Sequence, residues 1–155
     1  MNANEQCITT FYTAFQNKDF KTMQQFYADN ASFSDAVFKN LDAVQVRAMW
    51  QMLITGAKDL NVEFNNVIGD EKEGSADWVA TYTFSKTGKK VVNRIHAHFT
   101  FEQGKIVDHT DTFNFPVWAK QALGLSGFLL GRTRYLKNKV QTMAKKNLNS
   151  FMKIR

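Results

Sequence analysis

The segment DHTDTFNF, residues 108–115, places two ionisable side chains among phenylalanines. Because side chains alternate between the faces of a strand, His109, Asp111, Phe113 and Phe115 are predicted to share one face. A charge buried in such an aromatic face is costly unless it is paired, hydrogen-bonded or wet. The pattern therefore favours a water-accessible cavity, in which a desolvated carboxyl with a raised pKa transfers protons near neutral pH. The alternative is a structural pair that bonds to helix residues.

Other reactive side chains have less specific patterns. His96 and His98 form a His-x-His pair that can chelate a metal on a strand, but no third ligand follows at a recognisable spacing. We favour a polar sheet surface or a dimer interface there and predict no metal site. Cys7, the one cysteine, has no histidine near it in the sequence, which disfavours a nucleophile. The sequence lacks a glycine-rich phosphate loop and a serine-centred elbow, and we predict no cofactor.

Composition and charge indicate one domain with an aromatic core or an apolar cavity. The chain has 155 residues, of which 14 are Phe. Residues 132–155 contain eight Lys or Arg and no acidic residue, whereas residues 1–131 have 12 basic and 14 acidic side chains, a net charge of −2. The basic character therefore belongs to the C-terminal segment, and nucleic-acid binding is not indicated. With no signal-peptide pattern and no run of about 18 apolar residues, a cytoplasmic location is expected.

The hydrophobic period changes along the chain from helical to extended. Residues 7–28 predict two helices, and residues 41–57 predict a third, with Asp42 as its N-cap and Gly56 at its end. Alternation then predicts four antiparallel strands, with Pro116 ending the last one. A short helix, a glycine-punctuated apolar loop and a long helix follow. The predicted ranges of these later segments are 60–69, 75–85, 90–102 and 105–115 for the strands, 117–123 for the short helix, 124–131 for the loop and 133–152 for the long helix.

Helices that precede a sheet predict an α+β fold in which the helices pack on one sheet face. Alternation assigns aromatic and small side chains to that inner face, and Thr and His to the outer face. The predicted inner-face residues are Trp78, Ala80, Tyr82, Phe84, Ile95, Ala97, Phe99, Phe101, Val107, His109, Asp111, Phe113 and Phe115.

The order of helix, helix, FYADNASFSD, helix and four strands ending in GKIVDHTDTFNF resembles the SnoaL-like branch of the nuclear-transport-factor-2-like superfamily over residues 5–120. The resemblance implies a cone-shaped barrel, residues 1–116, in which a strongly bent antiparallel sheet wraps round three N-terminal helices. Residues 117–155 form a C-terminal helical extension of the same domain. The resemblance also implies a deep apolar pocket and, as in many members, a homodimer formed through the outer sheet face. Members include ketosteroid isomerases, limonene epoxide hydrolase and polyketide cyclases.

The resemblance assigns candidate catalytic residues one at a time. YADNASFSD is similar to the isomerase segment that ends in the catalytic base, which implies that role for Asp35. GKIVDHTD is similar to the segment that carries a catalytic acid in the hydrolase and the cyclases, which implies that role for Asp111. With His109 beside it in the strand, the candidate catalytic residues are Asp35, His109 and Asp111.

Two catalytic sets of the family are incomplete in this chain. The position of the isomerase's oxyanion tyrosine is Phe11, with Tyr12 one residue away and predicted to face elsewhere. The hydrolase's Arg-x-Asp pair would fall on Trp78 and Ala80. What remains is an aromatic pocket, and its predicted residues are Phe11, Phe15, Phe33, Phe38, Trp50, Trp78, Tyr82, Ala97, Phe99 and Phe113.

These residues suit two classes of function. In the first, an enzyme binds a small apolar molecule, such as a polycyclic one, and Asp111 acts as acid or base with His109 orienting it and Asp35 assisting. The reaction would be an isomerisation, an aldol-type cyclisation or the addition of water. In the second, the pocket holds an apolar ligand without turnover. A third possibility is a membrane-peripheral or partner-docking protein that acts through the basic C-terminal helix.

The C-terminal segment and the outer sheet face carry the expected partners. We favour packing of the last helix on its own domain or its dimer mate over binding to a membrane surface, with Phe128, Leu129 and Leu130 reaching towards the pocket as a lid. The predicted homodimer face carries Thr81, Thr83, His96, His98, Thr110 and Thr112.

Overall fold

The computed structural model of the chain describes residues 1–154, which form six helices and six strands. All six strands belong to one curved, open sheet in the order β2-β1-β6-β5-β4-β3. The α+β class is confirmed. In chain order the elements are α1 (Ala3–Gln16), α2 (Phe20–Gln25), β1 (Tyr27–Ser34), β2 (Leu41–Asp42), α3 (Ala43–Gly56), β3 (Asn61–Gly69), β4 (Glu73–Phe84), β5 (Lys89–Glu102), β6 (Lys105–Thr112), α4 (Phe115–Leu123), α5 (Leu125–Leu130) and α6 (Arg134–Ile154).

The two long N-terminal helices begin at capping boxes. At α1 the Asn2 side chain accepts the backbone N–H of Glu5, and the Glu5 carboxylate accepts the N–H of Asn2. At α3 Asp42 and Gln45 exchange the same pair of bonds, which confirms Asp42 as the predicted N-cap. Each box satisfies two backbone N–H donors that would otherwise lack a partner at the start of the helix. The two helices are thereby fixed at their starting points above the sheet.

Aromatic side chains join α1 and α3 to the inner face of the sheet. The Phe11 ring lies 6.0 Å from that of Phe99, and the Phe15 ring lies 5.3 Å from that of Trp78. Phe15 also packs edge-on against Trp50 of α3 at 5.1 Å. Full burial of a phenylalanine side chain stabilises a fold by roughly 1.5–3 kcal/mol. The helices are therefore held mainly by this aromatic layer.

The sheet differs from the predicted four antiparallel strands. Residues 27–34 form β1, which pairs in parallel with β6, with Phe33 opposite His109. The two-residue strand β2 then pairs with β1 at the sheet edge. A parallel neighbour needs a long connection, and here that connection contains α3 and four strands. Such a distant pairing leaves no local signal in the sequence.

A bulge in β6 corrects the predicted inner face. Thr100 pairs with Asp108, whereas the next residue, Phe101, pairs with Ile106, so Val107 is left without a partner. Ile106 is consequently buried and Val107 only half-buried, the reverse of the prediction. An extra residue of this kind reverses the alternation on one side of it. The alternation beyond the bulge still directs His109 and Asp111 inward.

The last strand also ends earlier than predicted. Thr112 closes β6, and Phe115 is the first residue of α4 rather than a strand residue. Asn114 caps this helix by accepting the backbone N–H of Val117 at 3.1 Å. Pro116 lies in the first turn of this helix instead of ending a strand. Proline is tolerated there, because the N–H groups of the first turn have no partner within the helix.

Residues predicted as a loop form the short helix α5, which lies against α4. Gly127 is buried and its Cα faces the backbone of α4: a Cβ placed there would overlap the carbonyl oxygen of Ala119. Glycine is therefore required for this close approach and not for turn flexibility. The two flanking glycines, Gly124 and Gly131, made the segment resemble a loop.

The final helix, α6, packs back on the domain, as favoured from the sequence. Leu136 and Leu148 are buried, and the Gln141 side-chain N–H donates to the carbonyl oxygen of Ala36 at 2.9 Å. Within residues 1–154, no helix is both long enough and apolar enough to cross a membrane.

The contact at Gly127 gives a test of the α4–α5 packing. Gly127→Ala should lower the free energy of unfolding by about 1–3 kcal/mol, because the added methyl group must separate the two helices. Gly56→Ala is the matched control, since no atom lies within 4 Å of a Cβ placed there. Urea denaturation of both variants measures the difference. Equal stabilities for the two would contradict the packing.

Candidate active site

An apolar cavity of about 740 Å³ is enclosed by the sheet, α3 and the C-terminal helices. Drug-sized ligands occupy pockets of roughly 300–1,000 Å³, so the volume suits a molecule of several fused rings. The two acidic side chains in its wall are Asp35 and Asp111. Lys86 and Lys139, both exposed, belong to its outer rim. The other principal lining residues are Phe15, Phe38, Met49, Trp50, Leu53, Trp78, Ala80, Tyr82, Ile95, Phe113, Leu136, Val140 and Met143.

The predicted pocket residues divide into two layers. Six line the cavity: Phe15, Phe38, Trp50, Trp78, Tyr82 and Phe113. The remaining four do not line it: Phe11, Phe33, Ala97 and Phe99 are buried in the core. Three of these form part of a ring cage around His109, which lies behind the cavity wall.

Asp111 and His109 occupy neighbouring inward positions on β6 but have different surroundings. In the sheet Asp111 is opposite Ala97 and His109 is opposite Phe99. Asp111 lines the cavity and is 4% exposed, whereas His109 is 0% exposed. The small Ala97 leaves room beside the carboxyl, while the Phe99 ring lies 4.2 Å from the imidazole centroid. The expectation that both residues face a cavity thus holds for Asp111 and not for His109.

A chain of three buried hydrogen bonds runs from α3 to Asp111. Trp50 Nε1 donates to the hydroxyl oxygen of Tyr27 at 2.8 Å. The Tyr27 hydroxyl lies 2.8 Å from His109 Nδ1, and His109 Nε2 lies 2.8 Å from Asp111 Oδ1. These bonds satisfy polar groups that would otherwise be costly to bury.

The donors and acceptors in this chain have one consistent direction. An indole N–H can only donate, so the Tyr27 oxygen accepts from Trp50. The Tyr27 hydrogen then has one acceptor among the described residues, which is His109 Nδ1. An imidazole that accepts at Nδ1 carries its proton on Nε2, and it donates that proton to Asp111. Asp111 therefore accepts from His109 at Oδ1, and its Oδ2, which makes no hydrogen bond within residues 1–154, remains for a ligand.

Aromatic rings hold the His109 imidazole in this orientation. Phe33 packs edge-on at 4.9 Å, and the rings of Tyr27 and Trp50 lie nearly parallel to it at 6.1 and 6.3 Å. Phe11 packs edge-on at 6.0 Å. A ring surrounded in this way has no free volume in which to flip. The imidazole therefore positions the carboxyl of Asp111 rather than moving with it.

Asp35 supplies the second carboxyl of the cavity, from the loop after β1. Its Oδ1 accepts the backbone N–H groups of Val37 and Phe38, each at 2.7 Å. Burial, with a smaller contribution from nearby Asp111, raises its pKa to about 6 against the lowering effects of these two bonds and of His109. A carboxyl with this pKa exchanges protons readily near neutral pH.

Further hydrogen-bonding groups lie in or beside the cavity wall. Tyr82 accepts an indole N–H from Trp118 at 2.9 Å, which leaves the Tyr82 hydroxyl hydrogen without an acceptor among the described residues. Burial raises the pKa of Tyr82, so it stays protonated. The indole N–H of Trp78 and the hydroxyl of Tyr12 are also buried without a partner within residues 1–154. Of these groups, the Tyr82 hydroxyl belongs to a residue that lines the cavity, which thus combines two carboxyls with a donor that suits a carbonyl-bearing ligand.

The sequence prediction missed Tyr27, the central member of the hydrogen-bond chain. Helical spacing after Phe20 assigned it to the second helix, but α2 ends at Gln25 and Tyr27 opens β1. Arg47 of α3 holds this junction by donating to the carbonyl oxygens of Tyr27 and Gln24. The one available signal was the hydroxyl itself, since a buried tyrosine usually needs a hydrogen-bond partner.

The other candidate groups lie away from the cavity. His96 is 2.7 Å from Asp77, and His98 is 3.3 Å from Glu73, on the exposed face of the sheet. Burial raises the pKa of the Cys7 thiol to about 11, so it is protonated at neutral pH. Of the segment predicted as a lid, Leu130 lines the cavity, whereas Phe128 and Leu129 are exposed.

The fold and the cavity define an α+β pocket protein with a curved sheet. A sequence model of the SnoaL-like domain matches residues 8–109, and the chain belongs to this family. No curated protein sequence matches the chain.

Solved structures share the fold at low sequence identity. A candidate SnoaL-like polyketide cyclase from Jannaschia sp. CCS1 is 11% identical with a TM-score of 0.69, over 79% of this chain and 92% of that one. An LEH-like epoxide hydrolase from M. tuberculosis is 16% identical with a TM-score of 0.64, over 83% and 93%. TerC, co-crystallised with polyporic acid, is 12% identical with a TM-score of 0.66, over 77% and 98%. At these identities the likeness concerns the fold.

Removal of one hydroxyl tests the hydrogen-bond chain. Tyr27→Phe should lower the free energy of unfolding by about 2–4 kcal/mol, because it leaves the Trp50 N–H and His109 Nδ1 buried without partners. Tyr135→Phe, at an exposed tyrosine, is the control and should cost almost nothing. Chemical denaturation compares the two variants. A loss at Tyr27 no greater than that at Tyr135 would show that the chain does not stabilise the core.

The raised pKa of Asp35 predicts a pH dependence of stability. Between its ordinary value of 3.8 and about 6, the folded state binds more protons than the unfolded state. Stability therefore falls as pH rises through this window, by up to about 3 kcal/mol from this residue. Asp35→Asn retains an oxygen that can accept the two loop N–H groups but no longer titrates, so its stability profile should be flatter. An unchanged slope between pH 4 and about 6.5 would rule out this assignment.

Proposed function

We propose that the protein binds a small apolar molecule in the cavity and that Asp111 transfers a proton to or from it. The observation that carries the proposal is the directed hydrogen-bond chain from Trp50 through Tyr27 and His109, which ends at the carboxyl group of Asp111 in a mainly apolar wall. A buried carboxylate is costly to maintain. A cavity lined by such a group, with one oxygen left for a ligand, suits a general base.

The proposed chemistry is proton transfer at a carbon next to a carbonyl group. Asp111 Oδ2 removes the proton, while His109 donates to Oδ1 and fixes the orientation of the carboxylate. The developing negative charge on the carbonyl oxygen is stabilised by donors on the cavity wall. Tyr82 has a hydroxyl hydrogen to donate, and Asp35, with a pKa of about 6, is available in its acid form. Such donors act strongly where water is excluded.

The aromatic side chains that line the cavity favour an aromatic or polycyclic substrate. Trp50, Trp78, Tyr82 and Phe113 offer flat surfaces for stacking around a volume of about 740 Å³. The fold likeness to a candidate polyketide cyclase supports the same class of ligand. An enolate formed in such a site leads to isomerisation or to an aldol-type ring closure. Epoxide opening is less well supported, because Trp78 and Ala80 occupy the positions of the hydrolase's Arg-x-Asp pair.

Deuterium exchange tests the proposed chemistry. A bicyclic ketone such as 2-tetralone, incubated with the protein in D2O, should incorporate deuterium next to its carbonyl faster than in buffer, as read by proton NMR. Asp111→Asn should lower the protein-dependent rate by about 10²-fold or more. The variant keeps an oxygen that can accept from His109, so it should fold. Asp108→Asn, on the opposite face of the same strand, is the matched control and should retain the wild-type rate.

Thermal shifts with the same ketones separate binding from catalysis. A shift in melting temperature with no exchange by the wild type would identify a ligand-binding protein without this activity. Neither a shift nor exchange across a panel of aromatic ketones would contradict the proposal as a whole.

A further inference from the structure

Helix α5 exposes large apolar side chains to the surroundings. Leu125 is 72% exposed, Phe128 63% and Leu129 65%. The opposite side of the helix is fixed to α4 through the buried Gly127. This six-residue helix therefore has one face packed on the domain and one exposed apolar face. Val117, in the preceding helix α4, is also exposed. Contiguous exposed apolar groups of this kind mark an interaction surface.

The segment of the chain that contains this surface carries only positive charge. Residues 112–155 contain nine Lys or Arg and no Asp or Glu. The Lys120 ammonium lies 5.4 Å from the centroid of the exposed Phe128 ring. Arg132 and Arg134 follow α5 directly and are exposed. An apolar patch with a basic rim is the pattern that binds anionic membrane surfaces.

The long helix α6 does not serve as the apolar element of this surface. Its Leu136 and Leu148 are buried against the domain, while Lys139, Lys145 and Lys146 are exposed. The apolar side of α6 is thus used for folding, and its lysines add to the positive field. Helix α6 exposes Tyr135 and Met143, whereas the exposed leucines and the exposed phenylalanine of this segment belong to α5.

We propose that α5 docks the protein on an anionic lipid membrane, with Leu125, Phe128 and Leu129 inserted among the acyl chains and the basic side chains at the headgroups. Bulky apolar side chains and cations are both needed, since either alone gives weak binding. A second copy of this chain is a poorer occupant, because two such surfaces would bring like charges together.

The position of the surface relates it to the cavity. Leu130, at the end of α5, and the exposed Tyr135 and Lys139 of α6 all line the cavity. A membrane under α5 would therefore lie beside the cavity opening. Apolar molecules partition into lipid, so this arrangement lets a ligand pass between membrane and cavity without crossing bulk water.

Co-sedimentation with vesicles tests the docking. The full-length protein should sediment with vesicles of phosphatidylglycerol and phosphatidylcholine in equal parts, and not with phosphatidylcholine alone. Phe128→Ser with Leu129→Ser should weaken binding by about tenfold or more, since each side chain contributes its transfer from water to lipid. Raising NaCl from about 0.1 M to about 0.5 M should weaken it as well, because the headgroup attraction is screened.

Ile68→Ser is the matched control: Ile68 is 64% exposed but belongs to β3, outside the basic segment. It should leave vesicle binding unchanged, and thermal melts should show all variants folded. Failure of the wild type to sediment, or equal losses for the control and the α5 variant, would overturn the proposal. So would a dimer in light scattering that the α5 substitutions convert to a monomer, because the surface would then bind a second copy.

Discussion

The burial of His109 between Tyr27 and Asp111 is the constraint on which the rest of the site depends. An imidazole that is 0% exposed must satisfy both ring nitrogens inside the core, and the structure supplies one acceptor and one donor at 2.8 Å each. Because Trp50 donates to Tyr27, the direction of every bond in the chain is determined. The chain ends at Asp111, which accepts from His109 at the point where the core meets the cavity.

The parallel pairing of β1 with β6 and the packing of α3 bring these four residues together. β1 lies parallel to β6 and places Tyr27 and Phe33 beside His109, while α3 carries Trp50 across the same site. Arg47 of α3 donates to the backbone carbonyl oxygens of Gln24 in α2 and Tyr27 in β1. The polar chain is therefore held by elements that are far apart in the sequence, and its geometry is as rigid as the aromatic core around it.

The sequence predicts the parts of this account that local patterns control. Alternation directs His109 and Asp111 inward, and helical spacing with the Asp42 cap identifies α3. The parts that were missed depend on contacts between distant residues. Tyr27 fits a helical pattern in the sequence, but it belongs to β1, which pairs with the distant β6. Val107 is displaced by a bulge in β6. Gly127 resembles a loop residue in the sequence, and its role becomes clear only from its contact with α4. The division of the aromatic residues between cavity wall and His109 cage likewise depends on the curvature of the sheet.

The tautomer of His109 is the most direct test of this arrangement, because the direction of the hydrogen-bond chain depends on it. Long-range nitrogen–proton correlation NMR distinguishes the two ring nitrogens in solution. We expect the proton on Nε2 and an unprotonated Nδ1 that accepts from Tyr27. A proton on Nδ1, alone or together with one on Nε2, would reverse the bond to Tyr27 and contradict the proposed direction of the chain.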